Sequence, residues 1–221
     1  MIAIVDYGER PSYLLFQLEK AGFKVKFTSV EAELLQAESI ILPDCRDLKK
    51  AVRRLHILNL FSMLRMVNKP VIGIGYGFAM MCERLEPVAR EGLGFFPFNV
   101  NRVQETEPFP EKLNCVLSAG NTGSFGSMGN AEKAETTGST EMAENMASLP
   151  IKGIKETYDN LYFEKIFTLS TDKYSFLRLK EMPYLPVAFS KENCCGFIFN
   201  PVFSGAEGFA LLTQLLKEQI K

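Results

Sequence analysis

Short apolar runs, spaced by segments of helical period, constrain the fold of this chain more than any other feature. Ile2-Ala3-Ile4-Val5 closes on Asp6-Tyr7-Gly8 and reads as a buried strand ending in a turn. Residues 12–21 then carry Leu14, Leu15, Leu18 and Ala21 at helical spacing, and Gly22 is a natural stop. Residues 24–28 form a second strand, and Ser39-Ile40-Ile41-Leu42 a third, ended by Pro43. Residues 47–67 read as one long helix, with Leu48, Val52, Leu55 and Met66 near one face. Pro70-Val71-Ile72-Gly73-Ile74 is a fourth strand, followed by a helix over 78–85. Strands alternating with helices at this spacing predict βαβ units and a largely parallel sheet. With 221 residues, the chain is one large domain or two small ones. Either way it can bury a core without a metal or disulfide staple.

The second half changes character. Residues 99–103 and 113–117 read as strands. Residues 121–148 are rich in Gly, Ser, Thr, Asn, Ala and Glu, with Phe125 as the one aromatic and no Leu, Ile or Val. Such a segment buries too little apolar surface to offset its ordering entropy, so it reads as a flexible surface insertion. Further strands are predicted over 163–169, 176–179, 187–189 and 197–199. A last helix over 206–220 places Phe209, Leu212, Leu216 and Ile220 on one face.

Composition removes several function classes. Lys+Arg 25 against Asp+Glu 26 gives a net charge of -1, so neither nucleic acid nor an anionic membrane surface is an expected partner. Five cysteines without CxxC spacing predict neither a disulfide framework nor a zinc site. The N-terminal run is interrupted by Asp6 and lacks a basic leader, so it does not read as a signal peptide. No stretch reaches the roughly 18 apolar residues of a membrane span. A cytoplasmic location with reduced thiols is the expectation. There is one histidine, His56. Any Cys–His or Ser–His catalysis must therefore use it.

Strand, Gly73-Ile74-Gly75-Tyr76-Gly77, helix has the form of a nucleophile elbow, G-x-Nuc-x-G. The central position in such a turn is strained and presents its side chain at a helix start, where an oxyanion or thiolate is favoured. Here that position is Gly75, which has no side chain and relaxes the strain.

At this point the chain resembles the class I glutamine amidotransferases, and among them the HisH-type glutaminase subunit of imidazole glycerol phosphate synthase. The residues that carry the likeness are the opening Ile2-Ala3-Ile4-Val5-Asp6-Tyr7-Gly8, the elbow Pro70-Val71-Ile72-Gly73-Ile74-Gly75-Tyr76-Gly77, and Glu91-Gly92-Leu93-Gly94. Gly153-Ile154 with Tyr162-Phe163, and Gly196-Phe197-Ile198-Phe199-Asn200-Pro201-Val202-Phe203-Ser204, complete it. The resemblance implies a single domain over residues 1–221, with the insertion at about 121–148. It implies a three-layer, flavodoxin-like α/β arrangement: a mainly parallel sheet flanked by helices, with added antiparallel strands. It implies no cofactor and no metal, and a (β/α)8 synthase-type protein as partner subunit.

The departures from that family are equally specific. In the family a cysteine attacks the glutamine carboxamide, a histidine is its base, and a glutamate orients the histidine. By position these become Gly75, Asn200 and Val202, a vestigial triad. An amide cannot take up and release a proton near neutral pH as imidazole does. A second family histidine falls at Lys165. The oxyanion-side loop, usually Pro-Gly-Val-Gly, is Pro43-Asp44-Cys45-Arg46, and a carboxylate at Asp44 would repel a developing oxyanion. Asp44, Arg46, Tyr76 and Asn200 are the candidate lining of a remodelled cleft, with Tyr76 and Phe78 partly filling the old glutamine pocket. Three readings follow. They are a non-catalytic binding or scaffold subunit, an active amidotransferase supplying ammonia in histidine biosynthesis or a related pathway, and a repurposed small-molecule binding protein.

The other singled-out residues have ordinary structural readings. Cys82 reads as a core thiol in the helix after the elbow, and Cys194 and Cys195 as ordinary thiols in a turn. Cys45, on the former oxyanion loop, has no histidine placed to activate it. His56 reads as a helix-surface residue. Lys49, Lys50, Arg53 and Arg54 form a solvated basic face or a docking face for an acidic partner. Gly120, Gly123, Gly126 and Gly129 follow no strand and do not read as a phosphate loop.

Overall fold

The computed structural model describes residues 1–101, 112–117, 154–165 and 167–219, apart from the side chain of residue 219. The segment 121–148 and the glycines at 120–129 lie outside the described residues. In chain order the elements are β1 (Ile2–Val5), α1 (Ser12–Lys20), β2 (Val25–Thr28), α2 (Glu31–Gln36), β3 (Ser39–Leu42), α3 (Leu48–Ile57) and α4 (Leu60–Met66). Then come β4 (Val71–Ile74), α5 (Tyr76–Met81), β5 (Cys82–Leu85), a 3-10 turn (Glu86–Val88), β6 (Arg90–Glu91), β7 (Phe96–Asn101) and β8 (Lys112–Leu117). The chain closes with β9 (Thr157–Tyr162), β10 (Thr168–Leu169), β11 (Ser175–Leu179), β12 (Pro186–Lys191), β13 (Cys194–Phe197) and α6 (Gly205–Gln219).

Among the described residues, nine strands form one sheet in the order β2-β1-β3-β4-β13-β12-β11-β8-β9. The five strands from β2 to β13 run parallel. The other four add antiparallel pairs. β1, β3, β4 and β13 are buried along their whole length, as strands covered on both faces must be. From β1 the chain steps outward to β2, then back past β1 to β3 and on to β4. Right-handed crossovers therefore place α1 on one face and the helices that follow β2 and β3 on the other. A second, smaller sheet has the order β10-β7-β5-β6. It is joined to the core by Phe78, Phe96, Phe98 and Phe189, whose ring centroids lie 5.0 to 5.4 Å apart along the chain of contacts. All four are fully buried.

Several local expectations need correction. Residues 47–67 are two helices. Asn59 adopts a left-handed conformation (φ 56°) between them, which asparagine tolerates and which stops the first helix. The break shifts the helical phase, so Met66 is exposed rather than on the buried face. α2 is a short helix the periodicity argument passed over. The helix after the elbow ends at Met81, because Cys82 turns extended (ψ 170°) and is taken up by β7 as a strand partner. Cys82 is thus in β5, not in a helix, although it is buried as a core thiol would be. Cys194 and Cys195 belong to β13, paired in register with Val71 and Ile72 of β4, not to a turn. The strand predicted over 163–169 is displaced, with β9 ending at Tyr162 and β10 only two residues long. α6 buries Leu211, Leu212, Leu215 and Leu216, with Phe209 only partly covered.

Candidate functional site

The chain leaves β1 toward one face of the sheet and β3 toward the other, and open α/β sheets bind ligands at such a switch point, outside the carboxyl ends of the strands. A cleft of about 300 Å3 lies there. Its walls are the loop after β1 (Glu9, Arg10, Pro11), the start of α1, the loop after β3 (Pro43 to Arg46), Ile74, Glu164, and Asn200 with Val202 and Phe203. Asp44, Arg46 and Asn200 come together in this cleft as candidate lining residues. The side chain of Tyr76 does not line it. Glu9, which sequence reasoning passed over, fixes the far wall by accepting the Arg46 N–H at 3.2 Å. Tyr7, buried at the end of β1, donates its hydroxyl to the Pro43 carbonyl and ties the two loops together. Burial pushes the Tyr7 phenol well above its ordinary value, so it stays a donor.

At the elbow, Gly75 has φ 54° and ψ −122°, a backbone state open to glycine and strained for residues with a Cβ. Its N–H donates to the Phe197 carbonyl at 2.8 Å. Two residues on, Gly77 lies against the backbone of β3: a Cβ there would collide with the Leu42 and Pro43 carbonyls. That close approach sets the elbow directly beside the Asp44 loop.

The consequence is specific. A Cβ built on Gly75 would lie 2.5 and 2.7 Å from the two carboxylate oxygens of Asp44. The Asp44 carboxylate thus occupies the space a side chain at the elbow would need. Its Oδ1 accepts the Tyr76 N–H at 2.9 Å and the Cys45 N–H at 2.8 Å. Lys165 stands over it, with Nζ 3.6 Å from Asp44 Oδ1 and 3.6 Å from Glu164 Oε1. The same ammonium donates to the Cys45 carbonyl at 2.7 Å and lies 4.4 Å from the centroid of the Tyr76 ring. The side chains of Asp44 and Lys165 are 12% and 22% exposed, so this ion pair is largely withdrawn from solvent. Burial raises the Asp44 pKa above the ordinary carboxylate value, while Lys165 and the two N–H groups pull it back.

The remaining candidates are held in structural roles. Asn200 forms a turn in which its side-chain oxygen accepts the Val202 N–H at 3.1 Å. Its carbonyl accepts the Ser204 hydroxyl at 2.6 Å, and its own N–H donates to the Tyr162 carbonyl at 2.8 Å. Val202 is buried. Phe78 sits in the core against Gly196 rather than in a ligand pocket. Tyr76 stacks on Phe167 at 6.3 Å. Cys45 is buried and its thiol is pushed up to about 12 by burial and by the neighbouring Asp44, far from the thiolate that reactivity requires. His56 is exposed on α3 and stacks on Phe61 at 4.1 Å. Lys49, Lys50, Arg53 and Arg54 are exposed on the same helix. Among the described residues no group of three or more His, Cys, Asp or Glu is placed to hold a metal, and no helix is long and apolar enough to cross a membrane.

No protein-family model matches the chain. Individual relatives do. The chain is 37% identical over 112 residues to the imidazole glycerol phosphate synthase subunit HisH of Staphylococcus aureus (strain Mu50). That match spans 50% of this chain and 58% of the length of that relative. Against HisH of Oceanobacillus iheyensis it is 27% identical over 217 residues, 96% of each chain. A solved glutamine amidotransferase shares the fold with a TM-score of 0.68 at 11% identity, over 99% of this chain and 98% of the other. A glutamine amidotransferase from Thermotoga maritima does so with a TM-score of 0.59 at 8% identity, over 100% and 97%. At such identities the structural likeness is one of fold. The chain is thus similar in sequence to HisH subunits and in fold to solved glutamine amidotransferases.

Proposed function

We propose that the chain is a catalytically degenerate amidotransferase-like protein, a non-catalytic binding or scaffold subunit for a (β/α)8 synthase-type partner in the cytoplasm. The observation that carries this reading is the Asp44 carboxylate lying where a nucleophile's side chain would be, above a glycine. Cysteine amidotransfer needs a thiolate, a base near it and donors free to hold the oxyanion. Here the elbow offers no side chain, and the Tyr76 and Cys45 N–H groups already serve a carboxylate. The position of the family base is Asn200, whose side-chain oxygen is held by the Val202 N–H. What is left intact is the frame: the sheet and the tight strand-to-helix turn at the elbow. The curated relatives are named as subunits of a synthase, which supports a partner subunit for this chain.

The test is glutamate release from glutamine by the purified chain, alone and mixed with a (β/α)8 synthase-type protein. Background turnover in both mixtures is the expected result. Turnover well above background in either would overturn the non-catalytic reading in favour of an active subunit. Co-elution of the two proteins on gel filtration is the expected sign of the scaffold role. The open cleft beside Asp44 favours one second reading, a repurposed small-molecule binder, to which failure to co-elute with any such synthase would shift the weight.

A further inference from the structure

We propose that Asp44 is a tethered occupant of a small carboxylate-binding site, locked in by Lys165, and that Gly75 and Asp44 are a mutually dependent pair. Two N–H donors and one ammonium converge on one group. The Tyr76 and Cys45 N–H groups reach Asp44 Oδ1 at 2.9 and 2.8 Å, and the Lys165 ammonium stands 3.6 Å away. These donors come from three separate stretches of chain, around residues 45, 76 and 165, so the site is a tertiary construction rather than one turn's local bonding. Lys165 is itself fixed from several sides, by the Cys45 carbonyl, Glu164 and the face of Tyr76. The site therefore keeps its shape independently of the Asp44 side chain.

The interdependence is steric. Any side chain on Gly75 enters the volume of the Asp44 carboxylate. Removing Asp44 empties that volume and leaves the donors facing it. A planar carboxylate of formate or acetate size has the charge and the geometry to refill it, since it presents the same oxygens that Asp44 presents. The open cleft outside is a different space, walled by Glu9, Arg10 and Arg46. In the native chain a ligand in that cleft meets Asp44 and Glu164 on its wall.

The test uses the full chain and thermal denaturation with formate as the probe. Asp44→Ala is expected to melt below the native protein. Sodium formate is expected to raise its melting temperature saturably, as a ligand bound only by the folded state does. Sodium chloride at equal ionic strength is expected to give no saturable rise. The native protein, with its site already filled, is expected to show no saturable response to formate. Lys165→Met in the Asp44→Ala background is expected to weaken the formate response at least tenfold in concentration. An equal formate response in native and Asp44→Ala proteins, or none in the variant, would overturn the proposal.

If Asp44→Ala does not fold unaided, refolding yield against formate replaces the melting curve. A yield that formate leaves unchanged counts against the proposal. The Gly75→Ala and Asp44→Ala double variant supplies an independent reading. It is expected to lose less stability than the sum of the two single losses, because the methyl group added at the elbow enters the volume that the carboxylate has left; strict additivity would refute the steric pairing. Glutamine turnover by the native chain bears on the non-catalytic reading and not on this site, which is read by binding alone.

Discussion

At the scale of single residues, Gly75 and Asp44 decide what the elbow can do. Gly75 keeps the sharp turn of a nucleophile elbow without bearing a side chain, and Asp44 fills the place of that side chain. Gly75→Cys alone is therefore expected to be inactive in the glutamate-release assay. It is also expected to lose about 1–3 kcal/mol of stability from the positive φ, with the collision against Asp44 added. Measurable glutaminase activity from that single change would contradict the proposal that Asn200 and Val202 stand where a base and its orienter would be. Asp44 also makes a pH prediction. Its pKa is raised in the folded chain by burial, so the native state holds the proton more tightly than the unfolded state between the two pKa values. Stability from this group is then highest below the unfolded value, about pH 4. It falls as pH rises to the folded value, and is flat above. Urea midpoints of the native protein relative to Asp44→Asn are expected to decline over that window. A relative gain with rising pH would mean that Lys165 outweighs desolvation.

At the scale of elements, the same kind of physics sorts local from distant causes. α3 starts at Asp47, whose carboxylate accepts the Lys50 N–H at 3.0 Å. Losing such a cap costs about 1 kcal/mol. Asp47→Ala is expected to cost that much in chemical denaturation. Phe78, in α5, is fully buried among Phe96 and Phe189. Phe78→Ala is expected to cost about 3–5 kcal/mol, from lost transfer energy and the cavity left behind. A smaller loss than for Asp47→Ala would mean that the ring is not the joint between the two sheets. The division of residues 47–67 into α3 and α4 shows where local pattern fails. Leu55, Leu60 and Leu64 are all buried, although the five-residue step from Leu55 to Leu60 leaves the helical period, and the backbone turn at Asn59 resets the phase. The end of α5 is similar. Nothing in Met81-Cys82-Glu83 forbids helix, and the decision comes from the β7 edge that Cys82 joins.

At the scale of the whole molecule, the order β2-β1-β3-β4 creates a switch point, and the loop after β3 that carries Asp44 is gathered there with the loop after β1. A synthase-type partner docking over this end would cover Arg46 and the cleft. Arg46→Glu is accordingly expected to weaken co-elution with such a partner while leaving the melting temperature within about 2 °C of native, as surface changes of less than ~0.5 kcal/mol do. Unchanged co-elution would place the interface elsewhere, the exposed basic face of α3 being the next candidate. The parallel half of the sheet and the elbow were legible in the sequence because buried strands and tight strand-to-helix turns leave dense local signatures. Those signatures are runs of Ile, Val and Leu and glycines two apart, and they hold for any chain that must bury both faces of a sheet. The displacement of Asp44 into the elbow was not legible. It depends on Gly77 bringing α5 against β3 and on Lys165 arriving from far along the chain. Electrostatic and steric partnerships at that sequence distance exist only once the sheet has set the strands side by side. The sequence by itself determined the class of fold and placed a glycine, without a side chain, at the elbow. The tertiary structure alone decided that a carboxylate takes that side chain's place, because only packing brings residues 44, 75 and 165 within reach of one another.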